Sequence, residues 1–214
     1  SRLYSLKTNN IDFDLDPEVS DTFEIGYKFS SDTHRLDAAI YYMTIDDTFT
    51  RRENTDGDRY YENGGETRHK GAELTWLTKI NDQFSTRIAY SYSEHEYVND
   101  EEYGDNEQAA APNDLVNLRF IFSPANVKGF KAIVEFEHIG EYWLDDQNTE
   151  TYSGYTIGHL KADYQISKQL KLNAKINNIT NKIYAESASL SYGKEKYTPG
   201  SPRQFFAGLE YSFQ

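Results

Sequence analysis

Arg51, Arg52, Tyr60 and Tyr61 border one polar stretch of this chain, and His95, Tyr97 and Tyr103 border the next. Tyr142, Trp143 and Tyr152 flank a third; Tyr184, Tyr192, Lys194, Lys196 and Tyr197 flank a fourth. A guanidinium forks onto carboxylate or catecholate oxygens, and a phenol ring stacks on a flat chelator. Arginine with tyrosine therefore suits an anionic, aromatic or chelated-metal ligand. Two plainer roles compete with that one. Whichever of Tyr142 and Trp143 points outward fits the aromatic belt at a membrane–water interface, and Arg51 and Arg52 fit a solvated loop.

Other reactive residue types give weaker signals. Seven acids between Glu94 and Glu107 (Glu94, Glu96, Asp100, Glu101, Glu102, Asp105, Glu107) have no Lys or Arg among them. Oxygen-rich loops hold hard cations, but the spacing is not that of an EF-hand, and a merely solvated acidic loop is the expectation. The histidines are His34, His69, His95, His138 and His159. Ser93 and His95 share one strand face and Glu94 and Glu96 the other, which is not a triad by spacing, although geometry and not spacing decides triads. No nucleophile elbow, HExxH, P-loop or paired-Cys motif occurs. The expectation is a protein with no catalytic residue, no resident cofactor and no metal ligand set. There is no cysteine, and a net charge of −13 argues against nucleic acid as a partner.

These residues must be positioned by strands. The chain alternates with period 2 from Phe23 to Phe29, Leu36 to about Arg52, about 60–79, 84–93, 116–122, Phe130 to Trp143, 160–166, 170–177 and 205–213. In the last of these Phe205, Ala207, Leu209, Tyr211 and Phe213 take one face, and Phe206, Gly208, Glu210 and Ser212 the other. Short turns at 30–34, 80–83, 123–129 and 167–169 alternate with long polar loops at 53–59, 96–112, 144–154 and 186–202. Short turns at one end, long loops at the other and strands of about 9–11 residues or more fit an outer-membrane barrel. Composition is compatible: 15% aromatic with only 37% apolar residues and a mean hydropathy of −0.80, because only every second strand residue would face lipid. Inward positions, among them Glu24, Lys28, Asp37, Glu73, Arg87, Arg119, Glu135, Glu137, His159, Lys161, Asp163 and Lys171, mix both signs, as a polar lumen wall does. A small closed barrel acting as pore or enzyme, and a soluble β-rich binding domain, stay open on pattern alone. The fold class is all-β and antiparallel. About nine strands is an odd number, so either further strands lie outside these 214 residues or residues 1–10 supply a tenth. A signal for export would likewise lie upstream of Ser1.

Four segments carry a resemblance. Asp16-Pro-Glu-Val-Ser-Asp-Thr-Phe-Glu-Ile-Gly-Tyr-Lys28 resembles a PE-x-S-x-x-x-E-x-G-x-K segment of TonB-dependent outer-membrane receptors, and Asn63-Gly-Gly-Glu-Thr-Arg-His-Lys-Gly-Ala-Glu-Leu74 is similar to their N-x-G…G-x-E-L strand. Asn178-Ile-Thr-Asn-Lys-Ile-Tyr184 resembles their N-L-x-D-K-x-Y strand end, and Tyr197-Thr-Pro-Gly-Ser-Pro-Arg203 through Phe213 their PG-x-PR…Y-x-F close. The chain departs in ending on Gln214 after Phe213, where an aromatic last residue is usual. The resemblance implies that residues 1–214 are the C-terminal part, nine or ten strands, of a barrel of about 22 strands, without its plug and N-terminal strands. It further implies a multi-pass location in the Gram-negative outer membrane among lipid and lipopolysaccharide, as a monomer. The implied function is uptake of a scarce nutrient, a ferric siderophore first, with cobalamin or an oligosaccharide as alternatives. Energy would arrive from TonB through the missing plug. Ligand contacts are expected from Arg51, Arg52, Tyr60, Tyr61, His95, Tyr97, Tyr103, Trp143, Tyr152, Tyr192 and Tyr197.

Overall fold

A computed structural model describes residues 16–53, 59–63, 65–191 and 193–213, Arg51, Glu53 and Arg59 by their backbone alone. Its strands are β1 (Val19–Ser30), β2 (His34–Asp46), β3 (Phe49–Glu53), β4 (Arg59–Asn63) and β5 (Glu66–Lys79). They continue as β6 (Phe84–Val98), β7 (Asp114–Phe122), β8 (Phe130–Ile139), β9 (Tyr142–Trp143) and β10 (Thr151–Tyr152). The last are β11 (Tyr155–Gln165), β12 (Leu170–Asn177), β13 (Ala185–Ser191), β14 (Lys194–Pro199) and β15 (Gln204–Tyr211). Nine of them form one antiparallel sheet in the order β1-β2-β5-β6-β7-β8-β11-β12-β15. Neighbours in the sheet are thus neighbours along the chain, and the sheet does not close on itself among the described residues.

Register decides the two faces. One row runs Phe29, Leu36, Trp76, Ile88, Leu118, Phe136 across six strands. A parallel row runs Phe120, Val134, Leu160, Ile176, Phe205. Side chains of one parity share a face, so this face is apolar from edge to edge. It is also open: Phe23, Leu209 and Phe205 are 65–70% exposed. The opposite face carries ion pairs, Lys28–Asp37 at 2.9 Å and Arg119–Glu135 at 2.7 Å, with Lys161 and Lys171 both reaching Asp163.

The short turns hold by local hydrogen bonds. The Asn81 side chain accepts from the backbone N–H groups of Gln83 and Phe84, both at 2.9 Å, and Ser167 Oγ accepts from Gln169 and Leu170. Such self-bonding turns need few residues.

The other end differs from the sequence expectation. The strand expected to run from Leu36 to Arg52 breaks at Asp47, which takes a φ of 57°, and resumes as β3. The strand expected at 60–79 breaks in the same way at Gly65, φ 113°. β3 pairs with β4 as a separate hairpin. The strand expected to reach Trp143 stops at Ile139, and β9 pairs with β10 instead. Part of the expected loop at 186–202 is the β13–β14 hairpin. At Asp47 and Gly65 the left-handed backbone re-aims the chain, which a period count does not register.

The recognisable segments meet at this end in pairs. Asn63 Nδ2 donates to the carbonyls of Asp16 and Asp47, at 2.9 and 2.7 Å, and Phe49 N–H donates to Glu18 Oε1 at 2.9 Å. Asn178, with a φ of 48°, donates to the carbonyls of Lys182 and Ser201 and accepts from Lys182 N–H. Gly200 N–H donates to the Tyr184 carbonyl at 2.8 Å. A Cβ on Gly200 would lie 2.2 Å from the Tyr184 ring, which itself packs on Tyr155 with centroids 4.4 Å apart. Gly200→Val is therefore expected to destabilise this corner by about 1–3 kcal/mol through overpacking. Faster proteolysis within 185–203, with cleavage elsewhere unchanged, is the measurement.

Candidate functional site

The buried residues gather at the loop end and not along the sheet. Tyr97, Tyr142, Leu144, Tyr155, Ile157, Ala185 and Ala188 are the buried apolar residues among those described, joined by Thr50, Arg52, Thr67, His69, Asp100 and Asn178. Loops that are merely solvated have no interior. These loops latch together in chain order and make one cap.

Arg52 makes the first latch. From β3 it donates two hydrogen bonds to the Asp100 carboxylate, at 2.8 and 2.7 Å, and a third to Glu62 at 2.9 Å. Its guanidinium lies 5.2 Å from the centre of the Tyr103 ring, and Tyr103 packs on Tyr97 with centroids 4.9 Å apart. Arg52 is 7% exposed and Asp100 8%. Burial pushes the Asp100 carboxyl up, but the Arg52 hydrogen bonds, the backbone N–H groups of Tyr103 and Glu102 and the guanidinium charge outweigh it, and the carboxyl titrates below its usual range. The expected solvated acidic loop is thus a folded one, with one acid turned inward to meet Arg52.

The second latch joins residues 100–110 to 143–148. Asn106 donates to the Asp146 carbonyl, Glu107 N–H donates to Asn148 Oδ1, Ala109 N–H donates to Asp146 Oδ1, and Asn148 Nδ2 donates to the Glu107 carbonyl, all within 2.9 Å. Ala110 N–H reaches the Trp143 carbonyl at 2.9 Å. The third latch seats the β13–β14 hairpin: Ala188 N–H donates to Tyr142 Oη at 2.8 Å, and Leu190 N–H donates to the Leu144 carbonyl at 2.9 Å. Tyr142, Leu144 and Ala188 form the core of this contact. Tyr142 is 7% exposed, so it is a packing residue of the cap and not part of an outward belt. Burial pushes its phenol up.

Of the residues singled out by sequence, the structure brings two groups together. Tyr61 and Tyr97 line a cavity of about 310 Å³ with Thr48, Phe49, Thr50, Gln108, Ala109 and Asp146; Arg52 and Tyr103 pack beside it. Tyr152 sits between Tyr142 and Tyr197, at 5.5 and 6.2 Å between centroids, and its hydroxyl bridges to the backbone of Ala185. Tyr60, Tyr61 and Tyr197 are exposed, Tyr197 donating to Glu195 at 2.5 Å. Trp143 is half-buried in β9. Arg51 is placed by its backbone pairing with Tyr61, and Tyr192 lies outside the described residues. His95 stands apart from both groups, bonded to His69.

Sequence reasoning missed Asp100 as a partner of Arg52, and Asp146 and Asn148 as clasp residues. The available signal for the clasp was the pair of turn-forming stretches, Asn99–Asp105 and Asp145–Asn148, in consecutive loops. Nothing in the spacing says that they touch.

The sequence profile of the family described as "TonB dependent receptor-like, beta-barrel" matches residues 1–179. The ferrioxamine B receptor of Salmonella typhimurium (strain LT2) is 26% identical over 200 residues, covering 87% of this chain and 28% of that protein. The ferrichrome outer membrane transporter/phage receptor of Escherichia coli (strain K12) is 21% identical over 185 residues, covering 83% and 24%. Among solved structures, the ferric yersiniabactin uptake receptor FyuA from Yersinia pestis superposes with a TM-score of 0.80 at 16% identity, over 92% of this chain and 30% of that one. The chain spans less than a third of the length of these relatives.

Proposed function

The chain belongs to the TonB dependent receptor-like, beta-barrel family, and we propose that it is the C-terminal wall section of an outer-membrane receptor that imports a ferric siderophore. The observation that carries this reading is the family match over residues 1–179 together with relatives named as receptors for ferrioxamine B and ferrichrome. In the proposal the apolar face meets lipid and lipopolysaccharide, the charged face lines the lumen, and the cap lies on the cell exterior. Energy arrives from TonB through a plug, and the reaction is transport, not catalysis.

The geometry supports a division of labour within the cap. The Arg52 guanidinium is occupied by Asp100 and Glu62, so it shapes the site. Tyr60, Tyr61 and Tyr197 are exposed, and these are the residues we assign to the chelate, with Tyr97 lining the cavity beside Tyr61 and Tyr103 packed on Tyr97. A ring stacked on a ligand contributes about 0.5–1.5 kcal/mol.

The test is uptake of radiolabelled iron as ferrioxamine B or ferrichrome by cells that lack their own hydroxamate receptors and express the full protein. Saturable uptake that stops when TonB is deleted is expected. Tyr61→Ala and Tyr197→Ala should each raise the half-saturating concentration about three- to tenfold, with the surface level of the protein unchanged. Binding of cyanocobalamin, with no uptake of any ferric chelate, would overturn the siderophore assignment.

A further inference from the structure

Two of the five histidines face each other. β5 and β6 set His69 directly opposite His95 on the charged face of the sheet, with ring centroids 4.9 Å apart and the two Nδ1 atoms 2.7 Å apart. At that distance no more than one proton fits between them. A chain of hydroxyls decides where the protons are. Thr48 Oγ1 donates its single hydrogen to the Ile45 carbonyl at 3.1 Å, a group that only accepts. Thr48 Oγ1 therefore accepts from Thr67 Oγ1 at 3.2 Å. Thr67 has then used its own hydrogen, and its oxygen accepts from His69 Nε2–H at 3.1 Å. A neutral imidazole carries one N–H, so Nδ1 of His69 is a bare lone pair aimed at His95.

That is the arrangement of a metal-binding histidine, one N–H anchored on an oxygen and the other nitrogen a lone pair, which here accepts the proton of His95 Nδ1. It is also enclosed: His69 is 8% and Thr67 1% exposed. A third donor lies on the same row. Met43, the one methionine of the chain, pairs with His69 from β2 and so stands one strand away on the same face. Imidazole with thioether favours copper among the first-row ions, by donor softness and by affinity order.

We propose that His69 and His95 form a copper site on the inner face of the wall, with Met43 as the adjacent thioether. The ion takes the place of the proton between the two Nδ1 atoms. Metal–nitrogen bonds of about 2.0 Å at the right angle of a tetragonal Cu²⁺ site need those atoms about 2.8 Å apart, and rotation of both rings aims their lone pairs at the ion. Protons balance: the proton leaves His95 as the ion arrives, and one is released per ion bound. His34 and His138 bond to Thr78 and Thr156, and His159 to Asn177 and the Asn178 N–H beside Glu137, so none of them faces a second imidazole. The site does not depend on which chelate the receptor carries.

The test is a Cu²⁺ titration of the full, untagged chain purified in detergent, read by electron paramagnetic resonance. One ion per chain with splitting from two imidazole nitrogens is expected. Thr67→Val, which keeps both rings and removes the anchor, should weaken binding about 10–100-fold; His69→Gln and His95→Gln should weaken it further and abolish the two-nitrogen pattern. Met43→Leu should lower retention of Cu⁺ against bathocuproine. A wild-type spectrum with one nitrogen or none overturns the site, as does full affinity in His69→Gln, and neither result depends on a variant folding well. Unchanged Cu⁺ retention in Met43→Leu overturns the thioether assignment. Failure of ferric chelate uptake leaves all of these readouts unaffected.

Discussion

Arg52→Met is expected to release the residue 99–107 loop, because it strands Asp100 in a buried position with only the N–H groups of Glu102 and Tyr103 for partners. Removing one member of a buried ion pair costs about 3–5 kcal/mol, whereas replacing both by apolar residues is often close to neutral. The single variant should therefore lose more than about 100-fold in amide exchange protection across 99–107, and Arg52→Met with Asp100→Leu should recover most of it. Glu62 and Glu102 still flank Arg52 when Asp100 alone is removed, so Asp100→Leu should cost less than Arg52→Met. Equal losses in the two single variants would show that the pair adds nothing beyond packing.

The pH dependence separates this pair from ordinary packing. The Asp100 carboxyl is held below its unfolded value, so its contribution is fully present above about pH 4 and is lost as pH falls through the folded value. In Arg52→Met the guanidinium's hydrogen bonds and charge are lost while burial, the largest single cause, stays, so the carboxyl moves up from its wild-type value. The loosening of the loop by acid should then be weaker in the variant than in the wild type. Two exchange profiles that run parallel with pH would refute the assignment.

Much of the wall was legible because its physics is local. Strict alternation such as Leu170, Leu172, Ala174 and Ile176 against Lys171, Asn173 and Lys175 tells the two faces apart without any knowledge of neighbours. Short turns announce themselves through residues like Asn81 and Ser167 that satisfy their own backbone. The cap was not legible, because each of its latches joins residues from different loops. Arg52 and Asp100 are 48 positions apart, and no spacing rule links an arginine in one loop with one acid out of seven in the next. His69 and His95 needed the register of β5 against β6, which is set by the whole sheet. The quoted segments held a clue of another kind: Gly200 beside Tyr184, and Asn63 beside Asp16, are contacts between one recognisable segment and another.

Leu118→Arg should show which face of the wall meets lipid. Leu118 lies near the middle of β7, between Ile88 and Phe136 on the apolar face. Ala89, one row away on β6, points to the other side, into a concavity it shares with Glu73, Asn117 and Glu137. A cation at the bilayer midplane of a membrane barrel costs about 2–4 kcal/mol, because hydrocarbon solvates neither the charge nor its hydrogen-bond donors. Lys at position 89 would meet water and the carboxylates of Glu73 and Glu137, so Ala89→Lys should be tolerated to within about 1 kcal/mol. Both substitutions replace a small or medium apolar residue with a long cation in a central strand, so strand propensity does not distinguish them. Denaturant titration of the protein in phospholipid bilayers gives the two costs, and assembly into isolated outer membranes gives the parallel result in cells. A soluble sandwich built from the same alternation would bury the apolar face in its core against a second layer and leave the charged face in water. It too would reject Leu118→Arg, but it would do so equally in detergent-free buffer, where this protein is expected to remain unfolded until bilayer is supplied. Cooperative folding without lipid or detergent is therefore the outcome that removes the membrane reading, and a lipid-dependent penalty at 118 but not at 89 is the one that establishes it.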